Sequence, residues 1–387
     1  MKLIVVILFL VSFITLGCSH SEKVAHKSES RKEWTLSAKI VQPLLDKDLL
    51  DFRKIQRSSP VLVKDVLVQA NAIDGIQAFR ITQSGLKRLW KTPILNGIEA
   101  SIVQINNLLF FGASDGYFYS LKLENGEVNW KVPVKSEVLS QALLDDEGRL
   151  FFLAGNNVLY ALDAADGHQL WVYSRQDTAN MTIRGGGRPA VRDGILYLGF
   201  SDGSLVALSA KSGAPQWEIQ LNKNKKFKDI DSSPVVDGEK LYVSGYDDKL
   251  YCISRKDGEI LWKYEAGGFD SIVIDSDRIY YPTTNGELLA IDKLSGKLIW
   301  KYNQFLGIPT KVKLIHNRFL VVGDSLGKLN ILLKNGSFFA SFEPGRGVFS
   351  APEFDSSNDM IYFISNESYL YGLEFKQLYP KWIPYVL

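Results

Sequence analysis

Cysteine is almost missing from this sequence: its 387 residues contain two, Cys18 and Cys252. A disulfide framework is thereby excluded, and Cys252, inside the strand-like run LYCIS, reads as a small buried hydrophobe. Histidine is scarce too. His20 and His26 lie in a polar stretch, His168 in a turn and His316 alone, so neither an HExxH pair nor a paired CxxC spacing is there to hold a metal. No excess of one charge exists either. With 45 basic residues against 43 acidic ones, the chain has no general field to collect nucleic acid or an anionic membrane surface. Long apolar runs are limited to residues 3–14, which follow Lys2 and give way to Thr15, Leu16, Gly17 and Cys18. That run is too short to span a bilayer. Its charged start, apolar middle and small-residue end are those of an export signal covering residues 1–17.

What the sequence has in plenty is glycine, aromatic rings and repetition. Its 31 glycines and 12% aromatic content suit a fold of strands and tight turns. The stretch GKLIWKY at Gly296 has a near twin in GEILWKY at Gly258 and looser relatives in GEVNWKV at Gly126 and GHQLWVY at Gly167. Trp90, Trp130, Trp171, Trp217, Trp262 and Trp300 recur at intervals of 40, 41, 46, 45 and 38 residues. Each closes a strand–turn–strand pattern punctuated by DG, NG or SG. Two degenerate copies follow: FLVVGDSLGKLNILLKNGSFFASF, with Ala340 in the Trp position, and MIYFISNESYLYGLEF. A further short strand precedes each copy, as in SSPVL at Ser58, RPAVR at Arg188, SSPVV at Ser232 and SAPEF at Ser350.

Four strands per repeat and eight repeats predict an all-β chain: an eight-bladed β-propeller of four-stranded antiparallel blades over residues 34–387, around a central channel. In it the Gly makes the turn between third and fourth strands, and the six tryptophans are structural, projecting into the seams between blades. Two segments could complete the last blade. The tail holding Trp382 has the right spacing from Leu373, but EWTLSAKI, with Trp34, reads as an outer strand standing alone ahead of the first repeat. Closure by the Trp34 strand is the expected solution, because it ties the two ends of the ring together.

These repeats resemble the DGxLxALDxxTGxxxW pattern of the PQQ-like propeller family over residues 34–375. Within that family the chain looks most like the lipoprotein subunits of the outer-membrane β-barrel assembly machine. The resemblance also rests on MTIRGGGRPAV at Met181, FKDIDSSPVV at Phe227, FLVVGDSLGKL at Phe319 and the lone Trp34 strand. The residues up to Cys18 are similar to a lipobox, with Thr15 where Leu is usual. That resemblance implies cleavage before Cys18 and its lipidation, palmitate included, and Ser19 in place of Asp implies sorting to the outer membrane. Residues 18–33, CSHSEKVAHKSESRKE, have no apolar periodicity and would be a flexible tether. The implied protein is a non-catalytic scaffold on the outer membrane facing the periplasm. Its implied partners are BamA, the other subunits of the machine and nascent outer-membrane proteins, with no cofactor and no nucleic acid.

The two longest repeat intervals point to a site. Their extra residues fall in adjacent outer-to-inner connections, SRQDTANMTIRGGGR after Trp171 and QLNKNKKFKDID after Trp217, which lie side by side on one face. Met181, Ile183, Arg184, Asp229 and Asp231 on these loops form a candidate partner-binding patch. The resemblance implies that matching positions contact BamA, with Arg184, Asp229 and Asp231 as exposed charged members; the plain alternative is a solvated loop or a local salt bridge. Lys223, Lys225, Lys226 and Lys228 read as a solvated loop. One rival reading is a quinoprotein dehydrogenase, which shares Trp-bearing blades. The vicinal Cys pair and convergent acidic cluster of those enzymes cannot be read here, so no catalytic, cofactor-binding or metal residue is expected. The other rival is a propeller that binds a different envelope ligand.

Overall fold

In the computed structural model, residues 34–45, 54–175, 186–224, 227–246, 248–268 and 270–378 are described. Their regular elements are thirty-two strands, which pair in eight sheets of four. Seven blades are built from consecutive antiparallel strands and span residues 61–93, 103–133, 143–174, 190–220, 235–264, 273–302 and 313–342. The eighth pairs Glu353–Asp355, Met360–Ile364 and Tyr369–Gln377 with Trp34–Pro43 as its outer strand. This is the eight-bladed propeller that the repeat arithmetic predicts. Trp382 lies outside the described residues. Beyond the Trp34 strand's pairing, Ile40 and Leu44 join Leu67 and Phe79 of the first blade and Met360 and Tyr362 of the eighth in one buried cluster. The seam between last and first blade is thus packed like the others.

There is no single core. Buried apolar side chains divide into clusters that each belong to two neighbouring blades: Phe110 and Phe118 meet Leu150 and Phe152, and Tyr242 and Cys252 meet Tyr281 and Leu289. A chain this long can therefore be stabilised by repeated interfaces instead of one growing interior. Sequence pattern follows position in the blade. Second strands such as LYLG within Ile195–Gly199 are buried on both faces and read as continuous apolar runs, whereas outer strands such as Pro215–Gln220 alternate between exposed and half-buried residues.

Six of the eight seams are each locked by one tryptophan. Trp262 Nε1 donates to the carbonyl of Lys293 in the next blade at 3.3 Å, and Trp300 Nε1 to that of Lys334 at 2.9 Å. Trp90, Trp130, Trp171 and Trp217 make the same forward bond to Leu123, Ala164, Ala210 and Arg255. The glycine has a second task that its turn role did not reveal. Gly296, at φ +70°, makes its own turn, and a Cβ there would lie 2.7 Å from the ring of Trp262 in the preceding blade. So the Gly and Trp four residues apart serve different seams: Gly296 receives Trp262, while Trp300 passes on to Gly336.

Opposite the tryptophans, the third strands carry small residues, namely Ala78, Ser120, Ala161, Ala207, Cys252 and Ala290. In the seventh blade Ala340 replaces the Trp, and its cross-strand partner is the larger Ile331. Volume is conserved across the pair. Cys252 is one of these small residues; it is fully buried, and burial pushes its thiol pKa up.

Candidate functional site at the channel mouth

The innermost strands and the connections leading into them line a central cavity of about 920 Å³. In a four-stranded antiparallel blade these connections share one end with the second-to-third-strand turns, and the glycine turns lie at the other. Arg57, Glu99, Asp231 and Phe349 each stand four residues before an inner strand and line the cavity at the first end. Arg57 Nε lies 3.5 Å from a Glu99 oxygen, and its guanidinium carbon sits 5.0 Å from the Phe349 ring centre. Asp270 accepts the backbone N–H of Ser271 at 2.7 Å and that of Lys311 at 2.9 Å, which ties two connections together. Lys313 donates to Glu353 at 2.9 Å and links the seventh and eighth inner strands.

Of the predicted patch, Met181, Ile183 and Arg184 lie outside the described residues, as do Lys225 and Lys226. Lys223 is exposed and Lys228 half-buried. Asp229 and Asp231 are described, and the structure corrects their expected exposure. The residue between them, Ile230, is only 1% exposed, and its side chain fills the space that a Cβ on Gly199 would need. Its amide donates to the Phe200 carbonyl at 3.2 Å, and the Tyr246 amide donates to the Asp229 carbonyl at 3.2 Å. Upstream, the Asn222 side chain donates to the Phe227 carbonyl at 3.2 Å and accepts the Asn224 N–H at 2.9 Å. Ile230 therefore plugs the loop into the wall and draws both aspartates in.

Asp229 is 1% exposed. Asp231 stays partly accessible as a residue, but its Oδ2 is sealed from water and has no hydrogen-bond partner among the described residues. Burial, with the Asp229 charge adding to it, holds the Asp231 carboxyl well above the usual carboxylate range, and Arg57 pulls the other way. Burial likewise raises Asp270, against the opposing pull of Lys311 and the two amides.

Arg57, Glu99, Arg188, Asp270 and Lys311 are cavity residues that the sequence reading missed. Aligning the repeats on tryptophan registers the outer strands and scatters the channel positions; aligning them on the inner strands brings those positions into line. His168 lies at a turn, as the sequence suggests. Its ring and the Asp163 and Asp166 carboxylates bring ligating atoms within 4.8 Å of one another, in a turn where His168 Nδ1 lies 2.7 Å from Asp166. Two of the three are exposed, and the turn's own hydrogen bonds account for the grouping. No nucleophile–base pair converges on the cavity among the described residues, whose acids face Arg57, Lys313 or backbone amides, or lie sealed in the wall.

Eight blades, six of them locked to the next by a forward-pointing tryptophan, with a channel mouth walled by packed loops, define a propeller of the PQQ-like class. The family model described as outer membrane protein assembly factor BamB matches residues 53–132 and 87–302, and the chain belongs to that family. It is 26% identical to the outer membrane protein assembly factor BamB of Yersinia pestis, over 82% of this chain and 84% of the relative. Among solved structures it is similar to BamB of Moraxella catarrhalis, with a TM-score of 0.72 and 20% identity over 88% of this chain and 100% of that one. A europium-containing methanol dehydrogenase gives a TM-score of 0.70 at 12% identity, over 84% of this chain and 85% of the enzyme. At these identities the two structural likenesses speak for the fold alone.

Proposed function

We propose that this protein is a non-catalytic scaffold of the outer-membrane β-barrel assembly machinery. It docks on BamA through its channel-mouth face and so promotes the folding and insertion of outer-membrane proteins. Family membership supports the setting. The observation that carries the docking face is the Ile230 plug: it fixes loop 227–232 in the wall, where Gly187 and Arg188, which follow Met181, Ile183 and Arg184 in the sequence, pack on Ser232 and Ser233. A fixed loop loses little conformational freedom when a partner arrives, which favours binding. Asp229 and Asp231 act here by shaping that wall, and Arg184 is the charged group offered to the partner.

In this reading residues 1–17 are the signal, and lipid on Cys18 anchors a tether over residues 18–33 ahead of the propeller. The protein is then held in the outer membrane, facing the periplasm among the other subunits and the nascent barrels. A tether of that length reaches roughly 20 Å on average, which keeps the propeller at the membrane surface. Cell fractionation tests the anchor. Cys18→Ala should move the protein from the membrane pellet to the soluble periplasm or leave it as uncleaved precursor, and a cleaved variant that still pelleted would contradict the anchor. Docking is tested by whether BamA stays with the full chain in cells.

A further inference from the structure

The near-neutral total of the sequence hides a local imbalance at the end of the propeller opposite the channel mouth. In the eighth blade the strand Trp34–Pro43 runs from the glycine-turn end toward the mouth. Lys39 Nζ lies 3.5 Å from Glu374, and just past the strand the Leu44 amide donates at 3.0 Å to the carbonyl of Ser368, in the turn between second and third strands. The chain therefore enters the propeller at the glycine-turn end, in the blade that neighbours the first.

Around that entry the eighth and first blades carry Lys39, Lys64, Arg80, Lys87, Arg88 and Lys376. Lys64 stands in the turn after the first inner strand, and Lys87 and Arg88 stand near the start of the outer strand Gly85–Pro93. Against these six cations are four carboxylates. Arg80 Nε lies 3.2 Å from Asp65. Glu374 accepts from Lys376 at 2.8 Å and also faces Lys39, and the two ammonium groups hold its carboxyl below the usual range. Asp359 faces His316 of the seventh blade at 3.4 Å, and Asp355 is buried and bound by Ser357 and Asn358. Lys64 and Lys87 have no acidic partner among the described residues. Lys87 is moreover the cross-strand partner of Arg80, a like-charge pairing that works against folding. The same turns of the third blade instead carry Asp145, Asp146, Glu147, Asp163 and Asp166 against Arg149 and His168. This end of the propeller is thus positive where the chain enters and negative two blades further on.

We propose that this basic rim of the eighth and first blades rests on anionic phospholipid headgroups of the bilayer that holds the anchor, and so turns the channel mouth away from the membrane. The inference rests on the reading that Cys18 carries lipid. A tether with a mean reach of roughly 20 Å brings the rim repeatedly within the ~8 Å over which a charged surface is felt at physiological salt. Each Lys or Arg that comes that close adds to the attraction, whereas the acidic third blade is repelled. Val41 and Leu89, 54% and 36% exposed, stand among the cations and supply apolar contact with the headgroup layer. Lipid on Cys18 then fixes where the protein is, and the rim fixes which end faces the bilayer.

The full lipid-bearing chain, reconstituted into vesicles of phosphatidylcholine with or without phosphatidylglycerol, tests this. A fluorophore is attached through Gln83→Cys, in the exposed glycine turn of the first blade, or through Leu95→Cys, 76% exposed on the mouth side; Cys252 is fully buried and stays unlabelled. With spin-labelled headgroups in the phosphatidylglycerol vesicles, the probe at position 83 should be quenched and the probe at position 95 should not. The quenching should fall by about half or more without phosphatidylglycerol, at raised salt, and when Lys64→Gln and Lys87→Gln are combined. Both lysines are exposed, so the double variant keeps its fold. Co-flotation separates the two readings. A chain that does not float with the vesicles overturns the anchor and this inference with it. A chain that floats with position 83 unquenched, quenched no more than position 95, or indifferent to lipid charge or to the two substitutions overturns the rim alone.

Discussion

Asp231→Lys should lower the stability of the propeller by about 3 kcal/mol or more, read from the midpoint of urea-induced unfolding. The Oδ2 position is sealed from water, so an ammonium would sit in a place that cannot solvate it, and the pull of the Asp229 carboxylate is opposed there by the Arg57 guanidinium. Asp231→Asn should have the opposite effect at neutral pH. Burial raises the carboxyl's folded pKa above its unfolded value, so the unfolded chain releases the proton first as pH climbs. The contribution of Asp231 to wild-type stability then falls from about pH 4 upward until the folded carboxyl also ionises. Asparagine cannot titrate. The variant should match the wild type near pH 4 and exceed it at pH 7, whereas a deficit that grew with pH would show that the charged carboxylate stabilises the wall. Asp270, also raised by burial, contributes a slope of the same sign in both proteins and cancels from the comparison.

Trp262→Ala should cost about 3 kcal/mol, the lower end for a large aromatic, because the ring is half-buried. The substitution opens a void between Gly296 in front and Cys252 across the strand pair, and it removes the donor to the Lys293 carbonyl. One seam would be loosened while the others kept their locks, so the protein should still fold at room temperature. A loss below about 1 kcal/mol in urea unfolding would mean that the tryptophans are ornaments on blades held by the inner strands.

The propeller was legible in the sequence because six of the eight seams need the same two residues in the same places. A large ring must be supplied by one blade and a bare backbone by the next, and that requirement writes Gly and Trp into nearly every repeat. Even the seventh blade could be recognised, since its turn persists where the Trp has become Ala340. Closure by the Trp34 strand was legible too, as a strand pattern with no partner ahead of the first repeat. That each glycine serves the preceding blade's tryptophan was not, because spacing within one repeat says nothing of contact between repeats. Nor was the burial of Asp229 and Asp231. A polar loop with two acids and several lysines reads as solvated, and the single Ile230 that pulls it inward has no periodicity to announce it. Arg188 and Lys311 were missed for a geometric reason: they keep a constant offset from the inner strands, not from the tryptophans.

Site-specific photocrosslinking in cells expressing the full chain tests the docking face most directly. A photoreactive residue at the exposed Lys223, on the connection that enters the fifth blade at the channel mouth, is compared with one at Leu294, 68% exposed in a glycine turn at the opposite end. The expected result is a crosslink to BamA from position 223 and none from position 294, with Arg184→Glu abolishing the first while the protein stays folded. A crosslink to BamA from position 294 alone, or one from position 223 that survives Arg184→Glu undiminished, would contradict docking through the channel mouth.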